Sequence, residues 1–286
     1  MIYISAQLGS SLIISMRFFL LLCFLAFAAQ AQSQIDSKNY DFDLKIIYQF
    51  THQNDSTSAE SKKSLFTQLS IGDKRSQFQT IAKFERDSIL CLDPSNMIYH
   101  RYGGINPNNF LIEKKEELIC VYEPLNGVAL SGNNELFYYE QNKEELDWSV
   151  TQDTATINQF VCQKATINWG GRSWTAWFAV DIPISEGPYK FCGLPGLIVS
   201  ISDGDLHFVF DLVSIQKVKH TALSFDKIRS DFKLIKTTKD DFYEERKKLR
   251  NNMVGYALLN GDKFNEDQKR NIQESAQKDN NHIEKY

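Results

Sequence analysis

The stretch from Ile167 to Ile215 constrains the fold of this 286-residue chain more than any other, because strand alternation, turn residues and a hairpin signal follow one another there without a gap. From Arg172 to Ile182 side chains alternate with period two. Arg172, Trp174, Ala176, Phe178, Val180 and Ile182 fall on one face, and Ser173, Thr175, Trp177, Ala179 and Asp181 on the other. A tryptophan on each face marks a strand covered on both sides. Ile182-Pro183 and Gly187-Pro188 then end it, since proline has no N–H to give a ladder. Leu194-Pro195-Gly196-Leu197 fits a type II turn in which Gly196 takes the positive φ. The chain re-enters a strand at Leu197, meets Asp203-Gly204 and returns over Leu206 to Ile215 as a hairpin. A two-residue turn there pairs Ile201 with Leu206, Val199 with Phe208 and Leu197 with Phe210 on an apolar face, and sets Ser200 opposite His207 and Ile198 opposite Val209.

Around this stretch lie Trp148, Thr154, Ile157, Cys162-Gln163-Lys164-Ala165, Gly171 to Phe178, Asp181 to Ile184, Gly187-Pro188 and Gly193-Leu194-Pro195-Gly196-Leu197-Ile198. Together they resemble the GLPGLI family, which takes its name from the last six. The resemblance runs from about Trp148 to Ile215, with weaker agreement over Asn280 to Glu284, where family members often carry proline in place of His282. It implies an exported protein of Bacteroidota, of a kind often encoded near TonB-dependent outer-membrane receptors. It implies no activity, since the family's function is undefined.

The N-terminus agrees with export. Met16-Arg17, the apolar run Phe18 to Ala29 and Ala29-Gln30-Ala31 supply the basic, apolar and small-residue parts of a signal peptide, so residues 1–31 are expected to be removed, with Met16 an alternative true start. The apolar run is too short for a membrane span. Cys23 is not expected to be a lipidation site, because large apolar residues flank it. Loss of Arg17 takes the net charge from −4 to −5, and without basic runs this argues against nucleic acid as a partner. Four cysteines remain, Cys91, Cys120, Cys162 and Cys192. Their even number in an exported chain permits two disulfides, while buried thiols are equally compatible with a domain large enough to need no staple.

Elsewhere Asp41 to His52 alternates as a half-buried first strand, with Phe42, Leu44, Ile46, Tyr48 and Phe50 on one face. Gln53 to Ser64 reads as a loop and Leu65 to Ile71 as a second strand. Phe78, Ile81, Ala82 and Glu85 suggest a short helix within Lys74 to Leu90. Short apolar runs at Met97 to Tyr102, Leu118 to Tyr122 and Glu135 to Glu140 suggest a strand meander. Thr238 to Met253 has a capping threonine, acidic residues early and basic residues late, as a helix dipole favours; a second, polar helix is expected over Asn265 to Lys278. The expected fold is therefore α+β: one domain over residues 32–286, a large curved antiparallel β-sheet with a helical C-terminal segment at 238–280.

The five histidines and the cysteines lack metal-ligand spacing, and no nucleophile elbow, phosphate loop or dinucleotide fingerprint is present, so neither a metal nor a cofactor is expected. Ser200, His207 and Asp211 are close enough in the hairpin to raise a serine–base–acid trio, with a half-exposed polar cluster as the plainer reading. Candidate binding residues are Arg172, Trp174, Trp177 and Lys190. Arg172 shares a face with Trp174, and Lys190 follows the Gly187-Pro188 corner between Tyr189 and Phe191, where the two cations suit an acidic peptide or a lipid headgroup. A core tryptophan shielded by an arginine stem is the structural alternative, as a conformational elbow is for Gly193 to Ile198. The function expected is a non-enzymatic exported accessory protein that binds a peptide, a lipid or an outer-membrane partner. A secreted hydrolase with a dispersed site and a structural envelope component are the alternatives.

Overall fold

Among the described residues twelve strands make one sheet, with period-two alternation plainest from Arg172 to Phe178. The computed structural model describes residues 41–92, 110–123, 135–221, 233–259 and 263–285. The strands are β1 (Asp41–Gln53), β2 (Lys62–Gly72), β3 (Arg75–Thr80), β4 (Leu111–Lys115), β5 (Leu118–Glu123), β6 (Glu135–Asn142), β7 (Ser149–Ile157), β8 (Phe160–Trp169), β9 (Arg172–Ala179), β10 (Leu197–Asp203), β11 (Phe208–Thr221) and β12 (Lys233–Lys236). Their order in the sheet is β12-β6-β5-β4-β3-β2-β1-β11-β10-β9-β8-β7. Every pair is antiparallel except β12 on β6. The helices are α1 (Ile81–Leu92), α2 (Lys239–Asn251), α3 (Met253–Leu259) and α4 (Glu266–Lys278). Residues 41–286 form one compact unit with helices at its C-terminal end, the α+β arrangement expected from the sequence. No helix among the described residues is long and apolar enough to cross a membrane.

The pattern of β9 holds from Arg172 to Phe178, where Arg172, Trp174, Ala176 and Phe178 are buried, Ser173 is exposed, and Trp174 and Trp177 lie on opposite faces; the strand ends at Ala179, short of the expected Ile182, and Val180 is exposed in a turn. Trp174 is 1% exposed and packs its indole on Phe191 at 4.7 Å between centroids. Two-residue turns with positive φ, Asn158-Gln159 and Gly170-Gly171, join β7 to β8 and β8 to β9, with Ile157 pairing Phe160 and Trp169 pairing Arg172. Thr238 caps α2 by accepting the Asp241 N–H at 3.1 Å, and Phe242 and Leu249 form its buried stripe. Asn265 caps α4 in the same way.

Several sequence expectations are corrected. The hairpin after Leu197 exists, but Ile201 pairs with Phe210, not Leu206, and Leu206 is 55% exposed in the turn with φ 54°. The reason lies in Asp203. One carboxylate oxygen accepts the Phe208 N–H at 2.8 Å and the other pairs with Arg172 at 2.8 Å, so Asp203 stays inside the ladder and the turn opens beyond it. The shift is even, so apolar residues keep their face. Gly196 does not take the positive φ expected of it; Gly193 does, at 93°. Gly196 is needed instead for close approach, because a Cβ there would lie 2.2 Å from the Ala179 carbonyl oxygen. Lys74 to Leu90 is split: Arg75–Thr80 is strand, and the helix begins only at Ile81, with Thr80 Oγ1 accepting the Lys83 N–H. Strand β4 lies where no strand was expected, and its Glu113 and Lys114 are both buried. The expected strand at Met97 to Tyr102 and the signal segment lie outside the described residues.

No disulfide joins the described cysteines. Cys120, Cys162 and Cys192 are buried thiols, and the side chain of Cys91 lies outside the described residues. Burial pushes the Cys162 and Cys192 thiols above their ordinary range, which makes them poor nucleophiles.

Candidate functional site

The loop between β9 and β10, residues 180–196, folds back over one face of the sheet instead of projecting from it. Pro188 accepts the Phe191 N–H, and this turn holds Tyr189 at φ 53°. Gly187 fits against Ile198, whose Cδ1 would lie 2.6 Å from a Cβ. Lys114 on β4 donates to the Gly187 and Phe191 carbonyls at 2.8 and 3.2 Å and pairs with Glu186 at 2.7 Å. Trp148 Nε1 donates to the Cys192 carbonyl, and Tyr48 on β1 donates to the Ile198 carbonyl, both at 2.8 Å. A loop springing from β9 is thus bound by β1 and β4, which requires the sheet to curve toward it. Gly187, Pro188, Gly193, Leu194, Pro195, Gly196, Leu197 and Ile198 form an elbow with a conformational role.

That elbow carries Lys190 into the interior. The ammonium is fully buried and donates to Tyr139 Oη at 2.9 Å, to Gln141 Oε1 at 2.8 Å and to Glu284. The rings of Tyr139, Trp169 and Tyr189 surround it at 5.0 to 5.4 Å. Glu284 also accepts from Tyr189 Oη at 2.7 Å and pairs with Lys239 at 3.0 Å. Burial draws Lys190 down to about 8, against the opposing pull of Glu284.

Glu284 belongs to an irregular segment, residues 279–285, that is tied to the sheet as a strap. Asn281 donates its N–H to the Asn54 carbonyl at 2.9 Å and its side-chain amide to the Gln53 carbonyl at 2.7 Å. Arg172 donates to the Asn281 side chain and to the His282 carbonyl while pairing with Asp203, and its guanidinium lies over Phe208 at 4.5 Å. Lys285 donates its N–H to the Gly170 carbonyl at 2.8 Å. The tight Gly170-Gly171 turn is shaped to this strap: a Cβ on either glycine would come within 2.9 Å of Glu284 or Lys285.

Beside the strap lies a cavity of about 440 Å³. Phe50, Phe110, Phe208 and Tyr189 supply its aromatic wall, and α2 supplies Arg246, Lys247 and Arg250. Glu123, Asp279 and Glu284 bring negative charge, while Asn54, Asn251, Gln277, Asn280 and Asn281 bring amides. Arg246 pairs with Glu123 at 2.7 Å. Burial lifts the Glu123 and Asp279 carboxyls above the usual carboxylate range, although arginines beside each pull the other way. His282 is pressed down to about 3 by burial and by Arg250, Arg246 and Arg172, so it is neutral and its Nε2 faces Arg250.

The sequence-derived candidates are therefore dispersed by role. Arg172 and Lys190 meet a peptide, but it is the chain's own strap. Trp174 is core, donating Nε1 to the Trp169 carbonyl at 3.1 Å, and Trp177 is half-buried on the opposite face; neither lines the cavity. Ser200 Oγ donates directly to Asp211 at 2.7 Å and His207 sits in the turn, so the hydrolytic trio is not assembled. The same turn brings ligand atoms of Asp203, Asp205 and His207 within 4.8 Å of one another, but Asp203 is already engaged by Arg172 and by the Phe208 N–H. Arg246, Arg250, Glu123 and Asp279 were not singled out from sequence. The only signal near them was the Asn280 to Glu284 segment within the family resemblance.

Two comparisons with known proteins bear on this architecture. Two crystal forms of PNGF-II are similar in fold, one at TM-score 0.50 and 13% identity, the other at TM-score 0.48 and 14% identity. Each is covered over 73% of this chain, which spans about a third of the PNGF-II chain (33% and 34%). No curated protein matches. Residues 171–200, which hold β9, the elbow and the start of β10, match the family model described as "Protein of unknown function (Porph_ging)", and it is to that family that this segment is similar.

Proposed function

We propose that the protein is a non-enzymatic exported accessory protein that binds a peptide segment of an envelope partner in the cavity beside the strap. One observation carries the reading: the face holding Arg172 and Lys190 already receives a peptide segment, residues 279–285, through main-chain hydrogen bonds, a read amide and a buried carboxylate. The adjoining cavity has the size of a small-ligand site. Its lining favours a peptide over a lipid. An acyl chain would leave Arg250, Asp279 and the ring of amides facing apolar surface, at a cost of roughly 1–3 kcal/mol for each group left unpaired. The signal-like N-terminus and the GLPGLI resemblance support export and an outer-membrane partner.

Purified protein titrated with a mixed octapeptide library, and analysed by native mass spectrometry, is expected to retain intact peptides. Peptides shortened on incubation would favour a hydrolase instead. If no peptide is retained and in-cell crosslinking captures no envelope protein, the reading fails.

A further inference from the structure

The cations around the strap are not equally satisfied. Arg172 has Asp203 at 2.8 Å, Arg246 has Glu123 at 2.7 Å, and Lys190 is in contact with Glu284. Arg250 differs. Its nearest carboxylate among the described residues is Asp279, at 3.8 Å, and its close contact is the neutral His282 ring. A guanidinium offers five donors in a planar fork, and a loose carboxylate with one imidazole nitrogen leaves most of that fork unused. Burial lowers Arg250 and raises Asp279, and the attraction between them offsets this only in part.

Arg250 lines the cavity, and its side chain is 24% exposed there. Phe50 and Phe208 also line the cavity, their centroids 6.3 Å apart and nearly parallel; Phe50 stacks on Phe210 and Phe208 lies under Arg172, so both rings are held in place. From the same helix Lys247 adds a second cation and Glu244 a carboxylate to the lining. A planar anion is thus offered a bidentate partner, next to an aromatic wall that meets an apolar group with its ring edges.

We propose that Arg250 anchors the ligand of this cavity, and that the ligand is a peptide carrying a carboxylate beside an aromatic or similarly flat residue, the carboxylate displacing Asp279 from Arg250. This rests on the peptide-binding reading above and adds the chemistry that the peptide must have. The carboxylate is either a free C-terminus or an acidic side chain.

NMR titration of the full chain with two matched pairs of probes tests both the chemistry and its source. The first pair is N-acetyl-phenylalanine and its carboxamide. The second is acetyl-phenylalanyl-aspartyl amide and acetyl-phenylalanyl-asparaginyl amide. The carboxylate member of at least one pair is expected to bind at least tenfold more tightly than its neutral twin. A preference confined to the first pair identifies a C-terminal carboxylate, and one confined to the second an acidic side chain. Arg250→Gln should abolish that preference and Arg250→Lys should retain part of it. Asp279→Asn, which removes the internal competitor, should strengthen binding several-fold, a direction that a merely structural role for the pair does not produce. Circular dichroism confirms that each variant is folded. Equal affinity within both pairs, or a preference untouched by Arg250→Gln in a folded protein, overturns the inference while the peptide-binding reading stands. If neither the probes nor any library peptide binds, both fall.

Discussion

Lys190 and Arg250 both meet the C-terminal strap, and the chain treats them in opposite ways. Lys190 is sealed among Tyr139, Gln141, Glu284 and three aromatic rings, with its donors matched to acceptors. Arg250 opens onto the cavity with one loose carboxylate and one imidazole nitrogen. A buried charge matched on all sides fixes a conformation but has nothing left to offer a ligand. One matched only in part costs the fold something and keeps its binding capacity. The comparison separates the part of this region that builds the molecule from the part that is suited to meeting another.

The largest effect should come from breaking the sealed side. Lys190→Met removes the fully buried cation paired with Glu284 and should lower stability by about 3–5 kcal/mol in urea denaturation. Adding Glu284→Gln should recover more than half of the loss; a double variant no better than the single would break the comparison.

Next in size is the pH dependence of the strap. The unfolded chain binds a proton at His282 near the ordinary 6.5, whereas the folded chain resists it until about 3. Stability present above pH 6.5 is therefore lost as pH falls toward 3, by about 2–4 kcal/mol once relaxation and screening are allowed for. His282→Gln should flatten that part of the profile. Lys190 acts in the alkaline range. Its folded pKa of about 8 lies below the unfolded 10.5, so its contribution to stability rises between those values. Lys190→Met should remove this rise.

On the open side the effect on stability should be small. Arg250→Gln is expected to change it by less than about 1 kcal/mol, because the ion pair it breaks is long and partly solvated and the glutamine amide can still donate to His282 Nε2. A loss comparable to that of Lys190→Met would mean that Arg250 is as structural as Lys190. Smallest of all, Leu206→Ser should fall within about 0.5 kcal/mol of the parent, since Leu206 is exposed in the turn instead of packed on Ile201.

Much of the fold could be read locally. The alternation of Arg172 to Phe178, the Thr238 cap and the polar pattern of α4 each depend on neighbours within a few residues, and each element formed where those neighbours placed it. The candidate site was less legible. Lys190 and Arg172 were visible as cations among aromatic residues, and an acidic peptide was a fair match for their chemistry. That the peptide is residues 279–285 of the same chain was not visible, because the contacts span more than 90 positions in sequence. The burial of Glu113 and Lys114 was hidden for a related reason. Charged residues signal solvent until their partners, here Arg75 on β3 and Glu186 in the loop after β9, account for their burial.

By itself the sequence determined the strand-rich class, the elbow between β9 and β10 and the capped C-terminal helices, because periodicity, proline geometry and capping act over short range. Tertiary structure alone decided the hairpin register, the role of Gly196 and the cavity. Register turned on Asp203 meeting Arg172, Gly196 on the nearness of the Ala179 carbonyl, and the cavity on where the strap is tied to the sheet. Each of these is a contact between groups that only the folded chain brings together, and no local pattern encodes the distance between them.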